Sequence, residues 1–184
     1  PHMPCGWPLK GQKDQINVIL QGSPMPFSER VVEILKRAGW SEDRVFDHEQ
    51  FTVPLRTEGW GFHEASLRFL TSFGGLDVSP PSRKSLRVQC DPFHFDPLAS
   101  AGGELDRLQE WEDLAQRSLS PIGGVGLWDL LIDEDETVYI GADGALEDIG
   151  PVPEALEYLC RGEGTPRLIR AERMERPFSH PRLT

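Results

Sequence analysis

Asp91, His94 and Asp96 fall within one short segment, C-D-P-F-H-F-D-P over 90–97. Two carboxylates and an imidazole could hold a divalent cation. Against that, Pro92 and Pro97 interrupt the segment, and aspartate directly before proline is ordinary turn chemistry. Plain loop is the competing reading, and no metal is assigned. Asp133-Glu134-Asp135-Glu136 invites a calcium reading, but an EF-hand loop needs a glycine and a later glutamate in register between two helices. Gly123-Gly124-Val125-Gly126 contains G-G-x-G, yet it precedes a strand pattern. A phosphate cradle must open a helix, so that backbone amides and the helix dipole face the anion. His48 and His63 have no triad partner nearby and read as surface histidines. G-x-S-x-G, the P-loop, H-E-x-x-H and the zinc-deaminase signature are absent. The expectation is a protein with no catalytic residues and no cofactor.

Charge points to a protein partner instead. With 19 Lys and Arg against 30 Asp and Glu, the formal net charge is −11. That balance disfavours direct binding to nucleic acid or to anionic membrane surfaces. Between Arg117 and Arg161 there is no Lys or Arg. The same interval holds Asp133, Glu134, Asp135, Glu136, Asp143, Glu147 and Asp148, the candidate partner contacts. Charged hairpin turns also serve simply to keep a sheet soluble. If the turns of one meander lie within a Debye length of about 8 Å, their fields add, and the uncompensated surface speeds encounter with a basic protein. Trp60 and Phe93 are candidate aromatic anchors, with core packing as the competing role.

Periodicity outlines the scaffold for these groups. A helix is expected over 28–38, capped by Ser28, stopped by Gly39 and followed by Trp40 packed beneath its end. Residues 44–56 carry strand character, with Pro54 marking an edge. Phe62, Ala65, Phe69 and Phe73 form one helical face, Gly74 supplies the left-handed stop, and Leu76 packs on the last turn. A strand is expected over 86–90, then loop over 91–103. A helix over 104–118 places Leu105, Leu108, Trp111 and Ala115 inward and Asp106, Glu110 and Glu112 in solvent. Residues 127–150 read as a three-strand meander over 127–132, 137–140 and 145–149. Pro153 starts a last helix through Cys160, stopped by Gly162. This order defines an α+β fold, a mainly antiparallel sheet with helices packed mainly against one side. One domain is expected over 27–163. Residues 1–26 read as a cloning remnant and an N-terminal arm, with an apolar run at 16–20. Residues 164–184 form a basic tail with arginines at 167, 170, 173 and 176. Cys5, Cys90 and Cys160 are sparse and odd in number, which favours a reducing compartment over a disulfide framework. With no apolar run long enough to span a bilayer and no signal pattern, a cytoplasmic location is expected.

The ordered motifs resemble the SUKH superfamily of immunity proteins, in its third subfamily. They are V-V-E-I-L-K-R-A-G-W at 31–40 and A-S-L-R-F-L-T-S-F-G-G-L at 65–76. Pro121-Ile122-Gly123, Leu130–Asp133 with Thr137-Val138-Tyr139, and Gly150 with Glu154-Ala155-Leu156 and Gly162 follow. The resemblance covers about 27–163. It implies neutralisation of a cognate bacterial polymorphic toxin domain, many of them nucleases or nucleic-acid deaminases, without catalysis. The alternative it allows is a SUKH-like interaction adaptor with no toxin partner. The N-terminal arm and arginine-bearing tail depart from the family pattern, and the oligomeric state is left open.

Overall fold

A computed structural model describes residues 27–81 and 90–170. The apolar run at 16–20, all but the last residue of the strand expected over 86–90, Cys5, and the arginines at 173 and 176 lie outside the described residues. Ser28 caps α1 (Glu29–Arg37), its hydroxyl accepting from the Val31 amide at 3.4 Å. The helix buries Val31, Ile34 and Leu35. Trp40 packs where expected, buried and stacked on Phe73 with ring centroids 6.0 Å apart.

No strand forms over 44–56. Glu49–Glu58 is a helix, α2, with Pro54 inside it. Phe51, Thr52 and Leu55 are buried at helical spacing. Gln50 and Pro54 are both exposed, so the hydrogen bond that proline cannot make falls on the solvent side.

The next helix, α3 (Glu64–Phe73), begins after Phe62 rather than at it. Nδ1 of His63 accepts from the Ser66 amide at 3.3 Å and caps the helix. Its Nε2 therefore carries the proton and donates to the Ile132 carbonyl at 3.0 Å. A histidine expected to be on the surface instead ties α3 to the sheet. Gly74 also differs from expectation. Its φ is −50°, and the left-handed residue is Gly75, with φ 72°. Gly74 is required for close approach: a Cβ there would lie 2.4 Å from the Leu70 carbonyl and 2.6 Å from the Phe46 ring. Phe46 nests against both glycines, its amide donating to Thr71 O at 2.8 Å.

Among the described residues seven strands follow in simple meander order: β1 (Asp77–Val78), β2 (Phe93–His94), β3 (Leu119–Val125), β4 (Trp128–Asp133), β5 (Thr137–Ala142), β6 (Ala145–Pro151) and β7 (Arg167–Arg170). Every neighbouring pair is antiparallel. Residues 91–103 are not plain loop. They hold β2 and α4 (Pro97–Ala101), which Asp96 caps by accepting from the Ala99 amide at 3.0 Å. Strand β3 runs through Pro121 and the glycine pair, with a register shift between Pro121 and Gly123. The two-residue β2 pairs only with Val125 and Gly124, so Pro121 sits where β3 is locally an edge. The basic tail begins as β7, with Arg167 opposite Asp148 and Arg170 opposite Ala145.

Helices cover both faces of the sheet rather than mainly one. Leu130, Ile132, Val138 and Ile149 pack with residues of α1, α3 and α6 (Val152–Arg161) in one core. Leu131, Tyr139 and Leu146 point the other way and join Ala101 of α4, Trp111 of α5 (Leu105–Ala115) and Leu55 of α2 in a second core. Trp111 is fully buried and donates to the Ala142 carbonyl at 3.0 Å. Glu112, expected in solvent, accepts from the Leu119 amide at 2.9 Å and fixes the α5–β3 connection. The Gly74 geometry sets a test: Gly74→Ala should lower unfolding free energy by about 2–4 kcal/mol. Gly61→Ala, where a Cβ meets open space, should stay within about 0.5 kcal/mol in the same denaturation series.

Candidate partner-binding surface

Asp133 begins the β4–β5 turn, and its carboxylate points inward. It is 2 % exposed. Oδ1 accepts from the Asp135 and Thr137 amides, both at 2.9 Å, and Oδ2 accepts from the Tyr139 hydroxyl at 2.9 Å. Burial, with Asp133 as acceptor, raises the pKa of the Tyr139 phenol. Asp133 therefore shapes the turn from within, and Glu134, Asp135 and Glu136 are the residues it presents outward. Glu136 adopts the left-handed conformation, φ 66°, and its carbonyl accepts from Val152 at the start of α6.

The acidic side chains do not form one patch. Residues 134–136 and Asp143 lie at opposite ends of β5, a strand of 6 residues. At about 3.4 Å per residue this separates them by roughly 20 Å, more than twice the Debye length. Nor is the stretch uncompensated, because arginines distant in sequence fold against it. Asp135 pairs with Arg117. Glu136 meets Arg68 at 2.8 Å, Asp143 meets Arg107 at 2.6 Å and Asp148 meets Arg167 at 3.1 Å. Glu134 is exposed and Glu147 half-buried, and neither has an ion pair among the described residues.

Glu147 lines a groove of about 280 Å³ at the β3–β4 and β5–β6 end of the sheet. Val125, Trp128, Ile140 and Ala142 floor it, Leu168 of β7 closes one side, and Tyr158 and Leu159 of α6 close another. Alternation along β4 puts Trp128 on the same face as Leu130 and Ile132. Gly162 ends α6 in the left-handed conformation, φ 66°, at the side of the groove rather than across it. Trp128 consequently remains 46 % exposed, Leu168 51 % and Leu127, in the adjoining turn, 91 %. Trp60 and Phe93, the candidate anchors from sequence, are core residues at 2 % and 1 % exposed. Extending the period of two back from Leu130 across the expected strand would have pointed to Trp128.

The remaining candidates serve structure. Asp96 caps α4, and Nδ1 of His94 accepts from the Asp96 amide at 3.4 Å. Among the described residues, no three His, Cys, Asp or Glu side chains gather in a metal-holding group. Burial pushes the Cys160 thiol up to about 12, so it stays protonated at neutral pH. Glu157 accepts from the Ser28 amide at 2.7 Å and pairs with Arg161 at 3.0 Å. This joins α1 to α6. Burial alone would raise the Glu157 carboxyl, but these donors hold it below the ordinary value. No described helix is long and apolar enough to cross a membrane.

These features define an α+β meander domain with an apolar groove at one end and anionic turns at both. The model of the SUKH-3 immunity protein family matches residues 27–162, and the chain belongs to that family. An immunity-protein role follows. No curated protein and no solved structure matches the chain.

Asp129 sits 5 % exposed, with Oδ1 lacking a hydrogen-bond partner. Burial pushes its carboxyl from 3.8 to about 6, Glu104 adding to the rise while Arg107 and Ser100 oppose it. Because the folded value exceeds the unfolded one, the group detracts from stability above about pH 6, and the deficit closes as pH falls toward 4. Asp129→Asn should therefore raise unfolding free energy by about 1–3 kcal/mol at pH 7.5. That difference should vanish near pH 4 in parallel denaturant titrations.

Proposed function

We propose that the protein binds and neutralises a cognate toxin domain whose working surface is basic, as in a nuclease or nucleic-acid deaminase. The observation that carries this reading is the family match together with the net charge of −11. A toxin that holds a polyanion must present Lys and Arg, and an acidic protein can occupy that surface in place of phosphate. Glu134, Asp135, Glu136, Asp143, Glu147 and Asp148 are the proposed contacts, with Asp133 holding the first turn in shape. Most of these carboxylates are held by arginines in exposed pairs, each worth about 1 kcal/mol or less. Exchange of such an arginine for a toxin cation therefore meets little resistance. Carboxylates at both ends of the sheet spread the attraction, which steers encounter without requiring one contiguous patch.

Coexpression with the toxin encoded beside its gene tests the reading. Growth rescue and a stable complex on gel filtration are expected. Absence of both rejects neutralisation and favours an adaptor with no toxin. Charge has a separate readout. Reversal of Glu134, Asp135 and Glu136 to Lys should slow association about tenfold at low salt and flatten its salt dependence. The fold should be retained, because Asp133 is untouched. Association unchanged by the reversal would remove this turn from the encounter surface.

A further inference from the structure

The groove beside Trp128 is continuous with the core and is not filled by the described residues. Val125, Ile140, Tyr158 and Leu159 belong to the core between the sheet and α6, and they run directly into the groove. The helix stops at Gly162, so no described helix covers the last stretch of that apolar face. Trp128 and Leu168 stand exposed around it, with Leu127 exposed in the adjoining turn. Clustered apolar exposure of this kind marks a place of contact.

The charges around the groove select the occupant. Glu147 lines it, half-buried, and Asp91 stands exposed at its rim. Neither has an ion pair among the described residues. Filling the groove with purely apolar material would take Glu147 further from water with nothing to compensate it. A cation entering beside the apolar group removes that penalty, and the face of Trp128 offers such a cation a second favourable contact. Arg170 is exposed nearby, opposite Ala145, but does not line the groove. A second copy of this chain fits poorly, since a two-fold contact through the groove brings Asp91 and Glu147 against their own copies at a net charge of −11 each.

We infer that this groove anchors the toxin, taking one large apolar side chain flanked by Lys or Arg. This rests on the neutralisation reading and adds the point at which the bound toxin is held. The anionic turns govern arrival, and the groove governs departure.

The test measures association and dissociation rates separately, with catalytically inactivated toxin domain encoded beside the gene as the probe. Trp128→Ala and Leu168→Ser should each raise the dissociation rate about tenfold or more, with association changed less than about twofold. Glu147→Gln should do the same with a weaker effect, and thermal melts should show all three folded. Dissociation rates equal to wild type in folded variants overturn the inference while leaving neutralisation intact. A concentration-dependent dimer of the free protein that Trp128→Ala abolishes also overturns it, assigning the groove to a second copy. Failure of the wild-type protein to bind at all defeats the neutralisation reading itself, and the anchor with it.

Discussion

The central strands have no solvent face. In β4, Leu130 and Ile132 point into one core while Leu131 points into the other, so helices are required on both sides of the sheet. The rest of the architecture answers that demand. Helices α1, α3 and α6 cover one face, with Glu157 and Arg161 binding the start of α1 to α6. Helices α2, α4 and α5 cover the other, with Trp111 of α5 lying so close to Gly141 that a Cβ there would sit 2.8 Å from the indole. Where the helices run out, the apolar face continues without them. The groove is the consequence of α6 being shorter than the strands it covers.

Polar groups inside this frame are used to fix connections. Asp133 satisfies two turn amides and a phenol, Glu112 takes the first amide of β3, and His63 spans from the start of α3 to a β4 carbonyl. Each closes a junction that backbone pairing leaves open, which is how buried polar groups are normally accommodated. Asp129 is one of several exceptions among the described residues, Thr52 Oγ1 and Trp60 Nε1 being others. Asp129 keeps an unpartnered oxygen, and burial raises its pKa, with the Glu104 charge adding to the rise.

What could be read from sequence followed locality. Ser28, Gly39 and Gly162 mark helix ends through their own backbone and side-chain chemistry, so α1 and the end of α6 were legible, as was the meander over 127–150. Strand β3 was not, because Pro121 and the glycine pair carry no strand signal; their fit depends on β2 ending early and passing close by. A Cβ on Gly123 would meet the His94 carbonyl at 1.9 Å, a constraint visible only once both strands are in place. Pro54 misdirected the reading of α2, since its tolerance there depends on which side of the helix meets solvent. Gly74 and Gly75 exchanged roles for a similar reason: the need for the first glycine comes from Phe46, nearly thirty residues away. The acidic interval was seen as composition, but the fold decides its meaning. Opposed turns of a meander cannot sum at short range, and Arg68, Arg107, Arg117 and Arg167 arrive from outside the interval to pair with it.

Under the proposed neutralisation of a basic toxin domain, separating charge from the groove has a physical logic. Exposed carboxylates attract over distances comparable to the screening length but hold weakly, because water and salt compete for every pair. A held complex needs surface removed from water, and an apolar pocket with an unpaired carboxylate at its side supplies both burial and a charge whose worth rises as solvent leaves. Such an arrangement would also discriminate. Any basic protein can be drawn to the anionic turns, but only one presenting an apolar side chain next to a cation satisfies Glu147 while filling the space against Trp128. Attraction shared with many partners, combined with retention limited to few, would let a strongly acidic protein remain selective among cationic surfaces.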